Sequence, residues 1–302
     1  MNHMLNGILN VYKESGFTSN DVVAKLRGIL HQRRIGHAGT LDPAATGVLP
    51  VLLGSATRLS EYVMEHEKTY RTVLLLGVVT DTQDMTGEIL SQSDGPLPDE
   101  DQVRGAVLSF IGGYEQLPPM YSAKRMDGKR LYDLAREGKE VPRKKVPVRI
   151  TDIRLEKIAL PEVTFCVDCS KGTYIRTLCH DIGAKLGCGA AMKELTRTRA
   201  GGFLAEDALT LGRIEALAGE GRIAKSVVPC EELFLDCLRV RTPSAACEKK
   251  LLNGNALTVK ELNLPARGAG EMIRMCTMDG TFLAVYRFDR ERGRYLPWRM
   301  LL

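Results

Sequence analysis

Residues 36–49 read GHAGTLDPAATGVL: one carboxylate, Asp42, set among Gly36, Gly39 and Gly47, with His37 five positions upstream. An aspartate of ordinary pKa, ~3.9, is ionised near neutrality and available as a nucleophile or base. Glycines permit the close backbone approach and unusual φ angles of a tightly wound loop around such a group. A structural alternative exists, because Asp followed by Pro is a good N-cap and N1 pair for a helix. The following residues, AATGVLPVLLG, read better as a turn into a strand, which weighs against the cap.

Other chemistries find less support. Neither G-x4-G-K-[ST] nor G-x-G-x-x-G occurs, and GCGAAM lacks the third glycine, so nucleotide cofactors have no motif. Asp81, Asp84 and Glu88 in TDTQDMTGE miss the calcium-loop spacing, with Gln83 at its third position and no acid at its twelfth. Cys166 and Cys169 form a C-x2-C with no second pair at zinc spacing. On a strand, an offset of three places their sulfurs on opposite faces. With the five histidines scattered, no metal site is expected, and His180 reads as a helix-surface or cap residue.

The elements that must carry the Asp42 loop follow from periodicity. Thr18-x-x-Asp21 fits a capping box, and Val22, Leu26, Ile29 and Leu30 recur at helical spacing, which predicts an amphipathic helix over 19–34. After the loop, VLPVLLG reads as a buried strand, and Ser55 is placed to cap a short helix to about Met64. KTYRTVLLLGVV, 68–79, reads as one long strand, 91–98 as a loop and 99–111 as a helix. A helix around Leu131–Glu137, strands near 146–158 and 162–170, then a strand end, turn and helix in KGTYIRTLCHDIGAKLG complete this part. Strands and helices mix without βαβ alternation, so the expected class is α+β. Beyond about residue 235, short apolar runs broken by glycine suggest a small β-rich module and a boundary there.

The 302 residues fit about two domains, and 44% hydrophobic with 26% charged residues is ordinary for a soluble globular chain. No apolar run approaches the ~18 residues of a membrane span. No charged segment followed by a long apolar one opens the chain, so a cytoplasmic location is expected, with the eight cysteines reduced. The net charge is +5, but Lys124–Arg149 alone holds ten cations and four acids, a net +6. Such a patch either binds a polyanion or is a solvated surface segment.

Several blocks in order resemble the TruB-type pseudouridine synthases. They are GFTSND, GHAGTLDPAATGVL, KTYR, GVVTDTQDMTG, PPMYSAKRMDGKRLYDLAREG and CSKGTYIRTLCHDIGAKLGCGA. The resemblance runs from about residue 7 to 235 and continues more weakly beyond. Tyr12-Lys13-Glu14 stands where many relatives carry Asp-Lys-Pro, with the lysine kept.

The resemblance implies a pseudouridine synthase fold over 1–235, with a central mixed, mostly antiparallel sheet flanked by helices. It also implies a small PUA-like β-barrel over 236–302. The implied activity is conversion of uridine 55 in the tRNA TΨC loop to pseudouridine, without cofactor or metal. Asp42 aligns with the catalytic aspartate, Arg176 with the arginine that pairs with it, and Tyr70 with the tyrosine stacked on the target base. Tyr174 and Leu195 align with the uracil pocket, and His37 with a contact to the RNA loop. Taken alone, Tyr70 and Tyr174 are ordinary strand aromatics, Leu195 a core leucine and Arg176 a phosphate contact. The basic window becomes an RNA-clamping insertion, about 119–147, with Lys124, Arg125, Lys129, Arg130, Arg143, Lys144 and Lys145 as RNA-contact candidates. The implied partner is the tRNA T-arm stem-loop, engaged by a monomer with no membrane and no obligate protein partner. Alternatives within the fold are a catalytically silent RNA-binding protein and a guide-dependent relative.

Overall fold

A computed structural model describes residues 4–121, 125–126, 129–130, 141–265 and 268–302. Among the described residues the α-helices are α1 (Ser19–Ile29), α2 (Ser60–Glu65), α3 (Glu100–Leu108), α4 (Ile175–Leu186), α5 (Leu211–Gly219) and α6 (Ala245–Leu252). The first strands are β1 (Gly7–Lys13), β2 (Ile35–His37), β3 (Thr46–Leu53), β4 (Lys68–Leu76), β5 (Val78–Thr80), β6 (Ile89–Gln92) and β7 (Gly112–Gln116). Next come β8 (Arg125–Met126), β9 (Lys129–Arg130), β10 (Val146–Ala159), β11 (Glu162–Cys169), β12 (Ala190–Ala200), β13 (Phe203–Leu204) and β14 (Val227–Val228). The last five are β15 (Leu238–Arg241), β16 (Leu257–Thr258), β17 (Met272–Cys276), β18 (Phe282–Asp289) and β19 (Arg294–Met300).

One ten-stranded sheet runs β14-β1-β3-β12-β4-β11-β10-β7, with β13 beside β12 and β2 beside β3. Its pairs are antiparallel except β3 with β12, which meet in parallel at Thr46–Thr196 and Gly47–Arg197. The mixed α+β class is as expected. β1 and β3 are covered on both faces: Leu9, Val11, Leu49 and Val51 pack under α1 and α5, while Ile8, Val48 and Leu52 face the opposite core. That two-sided burial explains why GVLPVLL carries no polar alternation. β4, β10 and β11 instead bury one face, where Leu74, Ile150, Phe165 and Val167 meet Val103 and Val107 of α3 and Leu178 and Ile182 of α4. Their other face carries paired charges, Arg71 with Glu156 and Asp168 with Arg154 and Arg199. Cys166 and Cys169 do lie on opposite faces, Cys169 in the core and Cys166 beside Glu156.

The chain leaves the large sheet at β14 and enters a five-stranded sheet, β15-β17-β18-β19-β16. This curled sheet has its own core around Ile273, Met275, Tyr286 and Tyr295. It also shares a core with the first sheet, where Val285 and Trp298 join Ile8, Val48 and Leu52, and Tyr62 of α2 stacks on Phe234 at 4.7 Å and meets Trp298 edge-on at 5.5 Å.

Local expectations met with corrections. The capping box forms, with Thr18 Oγ1 accepting from the Asp21 amide at 3.0 Å and Asp21 Oδ2 accepting from the Thr18 amide at 2.8 Å. The helix it starts stops at Ile29 and not 34, because His31 turns left-handed (φ 49°) to feed β2. The long strand breaks at Gly77 (φ 83°), after which β5 pairs with β6 in a separate hairpin that takes Ser91 and Gln92 from the expected loop. α3 is shorter than 99–111, and Asp99 caps it. Ser55 caps nothing: it lies inside a 3-10 turn, its amide bonded to Asn6 Oδ1 at 2.8 Å. His180 lies half-buried on α4, away from either helix end. The helix expected at 131–137 lies outside the described residues.

Candidate active site

The Asp42 loop is not a helix start. Residues 43–44 form a turn closed by the Ala45 amide on the Asp42 carbonyl (3.1 Å), and β3 begins at Thr46. Two groups of residues hold its backbone. From one side, buried Ser19 clamps Leu41, its hydroxyl accepting from the Leu41 amide at 2.9 Å and donating to the Leu41 carbonyl at 3.3 Å. Lys13 Nζ donates to the carbonyls of Glu14 (3.1 Å), Phe17 (2.6 Å) and Pro43 (3.0 Å). Burial brings the Lys13 pKa down to about 8, against the pull of nearby Asp42.

From the other side comes Arg197 on β12, whose side chain is 1% exposed. Its Nε donates to the Val48 carbonyl at 2.7 Å and its Nη2 to the Gly39 carbonyl at 3.1 Å. This explains two of the glycines. A Cβ on Gly47 (φ 103°) would sit 2.2 Å from the Arg197 carbonyl oxygen, and one on Gly39 (φ 95°) 3.3 Å from Arg197 Nη1. The loop is thus wound around a buried guanidinium.

Arg176, in the first turn of α4, faces Asp42. Its Nε lies 3.1 Å from Asp42 Oδ2 and its Nη2 3.4 Å from Asp42 Oδ1, a two-pronged grip that fixes the carboxylate plane. The guanidinium is itself held. Nη1 donates to the Thr82 carbonyl at 3.1 Å and to Asp84 Oδ2 at 3.3 Å, and Nη2 donates to the Tyr121 carbonyl at 2.8 Å. Asp84 is locked in turn by the Thr82 hydroxyl at 2.8 Å and the Thr86 amide at 3.0 Å.

The electrostatics follow. The Arg176 side chain is 6% exposed and Asp84 10%, but Asp42 is 39% exposed, so its carboxylate is the open end of the triad. Burial raises the Asp42 pKa, the Arg176 guanidinium opposes that rise, Asp84 adds to it and Lys13 opposes it. Asp42 is therefore an oriented anion with one side accessible.

The other sequence candidates fall around it to different degrees. Tyr70 and Leu195, both 9% exposed, share one apolar cluster with Leu41 and Ala45, which flank Asp42, and with Ile175, which precedes Arg176. Tyr70 pairs with Arg197 across β4 and β12, and burial pushes its hydroxyl above the usual phenol range. Tyr174 is the residue before α4, half-buried. His37 ends β2, its Nδ1 buried without a hydrogen-bond partner among the described residues, its pKa lowered by burial and by Arg197. Of the basic candidates, Lys144 and Lys145 are exposed, whereas Arg143 is half-buried and donates to the Pro118 carbonyl at 2.9 Å. The backbones of Arg125, Lys129 and Arg130 form the β8–β9 pair, and Lys124 lies outside the described residues. Among the described residues no three His, Cys, Asp or Glu side chains cluster as a metal site, and no helix is long and apolar enough to cross a membrane.

Sequence reasoning missed Asp84, Ser19 and Arg197. In the sequence Asp84 reads only as a failed calcium ligand, although its block is among those that carry the resemblance. Arg197 sits in the alternating run TRTRA, where nothing marks it as buried.

Solved structures and named proteins share this arrangement's fold and sequence. The structure of a Cbf5-Nop10-Gar1 complex matches with a TM-score of 0.74 and 26% identity, over 99% of this chain and 86% of that one. An H/ACA RNP bound to a substrate RNA containing 2'-deoxyuridine matches with a TM-score of 0.73 and 25% identity, over 99% and 86% of the two chains. The fold is that of the pseudouridine synthases, with a PUA-like C-terminal sheet. The N-terminal domain model of the TruB family pseudouridylate synthases matches residues 27–175, and the C-terminal domain model of tRNA pseudouridylate synthase B matches 176–235. The tRNA pseudouridine synthase B of Clostridium novyi is 43% identical over 281 residues, 93% of this chain and 95% of that protein. Its counterpart in Clostridium perfringens strain 13 is 41% identical over 290 residues, 96% and 97% of the two chains. The chain belongs to the TruB family of pseudouridylate synthases.

Proposed function

We propose that this protein isomerises uridine 55 in the TΨC loop of tRNA to pseudouridine, with Asp42 as the reacting carboxylate. The observation that carries this reading is the geometry of Asp42, gripped in one plane by a buried arginine yet open on its outer side. The target base leaves its stack, which costs a few kcal/mol and is offset by contacts in the receiving pocket. Asp42 then acts on the extruded nucleotide. The N1–C1′ bond breaks, the uracil turns, C5 bonds to C1′, and the proton on C5 is lost while N1 gains one. Atoms and charge balance, so the isomerisation consumes no cofactor.

Arg176 holds Asp42 ionised and oriented throughout. Tyr70 offers an uncharged phenol and a flat ring to the base, Leu195 and Tyr174 bound the uracil pocket, and His37 meets the RNA loop as the nucleotide swings out. The cations of the 119–147 segment, Lys144 and Lys145 foremost, bind phosphate, and residues 236–302 form a second RNA-binding unit. The protein acts in the cytoplasm as a monomer, without a protein partner. Identity of 41–43% to proteins named tRNA pseudouridine synthase B, against 25–26% to the Cbf5 and H/ACA structures, favours a tRNA substrate over a guide-dependent one. The test is to incubate the purified protein with an unmodified T-arm stem-loop, with nothing else added, and map pseudouridine. Product at the single target uridine is expected; unmodified RNA at stoichiometric enzyme overturns the reading.

A further inference from the structure

We propose that Gln116 is a positioning residue for the reaction, setting Tyr174 and, through it, the Arg176 guanidinium. The inference rests on the functional reading above and concerns the same site. Gln116 ends β7 and is wholly buried. Its side-chain amide pairs with both backbone groups of Tyr174: Oε1 accepts from the Tyr174 amide at 2.8 Å, and Nε2 donates to the Tyr174 carbonyl at 3.0 Å. Nε2 also meets the Tyr114 hydroxyl. A buried glutamine using both ends of its amide on one backbone residue acts as a short piece of β-ladder made from a side chain.

The residue it grips matters. Tyr174 is the residue that opens α4, its amide is bonded by Gln116 Oε1, and Arg176 lies two residues on. The same segment supplies a second hold, because Tyr121, five residues after Gln116, gives its carbonyl to Arg176 Nη2 at 2.8 Å. Upstream of Tyr174, the turn is closed by the Thr173 hydroxyl on the Ser170 carbonyl at 2.9 Å, and Ser170 pairs with Arg149 of β10. Gln116 therefore connects the edge strand β7 to the start of the helix that aims Arg176 at Asp42.

Two variants test this, with unmodified T-arm RNA as the probe. Gln116→Met keeps volume and loses both contacts; Gln116→Glu keeps the acceptor always and the donor only when protonated. Burial raises a glutamate's pKa at this place. The titratable group bonded to it is the Tyr114 phenol, held high mainly by burial, and Asp181, Cys179 and Cys169 act on that phenol in turn. All are present in the wild type, so each variant is read as its ratio to wild type at every pH. The expected result is a kcat for Gln116→Met reduced about tenfold or more, with KM for RNA within about threefold. The Gln116→Glu ratio should recover at low pH and fall as pH rises, while the Gln116→Met ratio stays flat. A Gln116→Met kcat within twofold of wild type, or a flat Gln116→Glu ratio in protein shown folded by its thermal transition, overturns the proposal. A wild type that forms no pseudouridine instead overturns the functional reading on which the proposal stands.

Discussion

Asp42 and Asp84 bind the same guanidinium from two directions, Arg176 lying 3.1 Å from one carboxylate and 3.3 Å from the other. The two acids differ in exposure and in what else holds them. Asp84 is buried and tied by its own turn, whereas Asp42 has Arg176 as its ionic partner and faces outward. One acid anchors the arginine and the other is presented by it.

Replacing the anchor should hurt catalysis more than binding. Asp84→Asn removes the anchoring charge and turns one of two engaged acceptor oxygens into a donor, since Oδ1 serves Thr82 and Thr86 and Oδ2 serves Arg176, so the guanidinium is free to shift by a fraction of an ångström. A kcat about 10- to 100-fold lower is expected, with tRNA Kd little changed. Single-turnover kinetics at saturating enzyme measure the first quantity and filter binding the second.

The pH dependence has a defined sign. In the proposed reaction Asp42 acts as the carboxylate, so activity should be present above its pKa and lost as pH falls through it. Burial raises that pKa, so the acid limb of kcat should lie above the ordinary aspartate value of ~3.9. Asp84 adds to the rise, so Asp84→Asn should move the limb to lower pH. A wild-type limb at or below the ordinary aspartate value contradicts the assignment of charges.

The two glycines wrapped on Arg197 should differ in cost. Alanine at 47 drives a Cβ into the backbone oxygen of Arg197, which has nowhere to go. Alanine at 39 meets only the tip of the side chain, though both positions have positive φ. Urea denaturation should show a loss above ~2 kcal/mol for Gly47→Ala and about 1–2 kcal/mol for Gly39→Ala.

Lys144 and Lys145 are exposed, while Arg143 is engaged with Pro118. Lys144→Ala with Lys145→Ala should therefore reduce the slope of log Kobs against log salt by about 1.4–1.8. Arg143→Ala should instead lower stability. Titrations between low and moderate salt separate the two effects.

The fold was legible where a residue's local pattern agrees with its final surroundings. The capping box at Thr18 and the strand after the Asp42 loop are of this kind, since their hydrogen bonds and periodicity are local. Boundaries failed where long-range needs decided them: α1 ends early to let β2 join β3, and the strand from Lys68 breaks at Gly77 so that β5 can leave with β6. At the site, Asp42 stood out because glycine and proline surround it, and Arg176 came with the resemblance. Ser19, Asp84, Gln116 and Arg197 did not, because each acts on backbone or charge far away in sequence. A serine in a helix's first turn looks like any other until the Leu41 carbonyl and amide lie beside it.

The central claim is that the Asp42 carboxylate performs the chemistry, and Asp42→Asn tests it most directly. The substitution keeps size and hydrogen-bonding capacity and removes the charge. Pseudouridine mapped on T-arm RNA after long incubation at stoichiometric enzyme is the measurement. The prediction is RNA binding within a few-fold of wild type and no product; pseudouridine formed by the variant at a rate near that of the wild type would contradict the account.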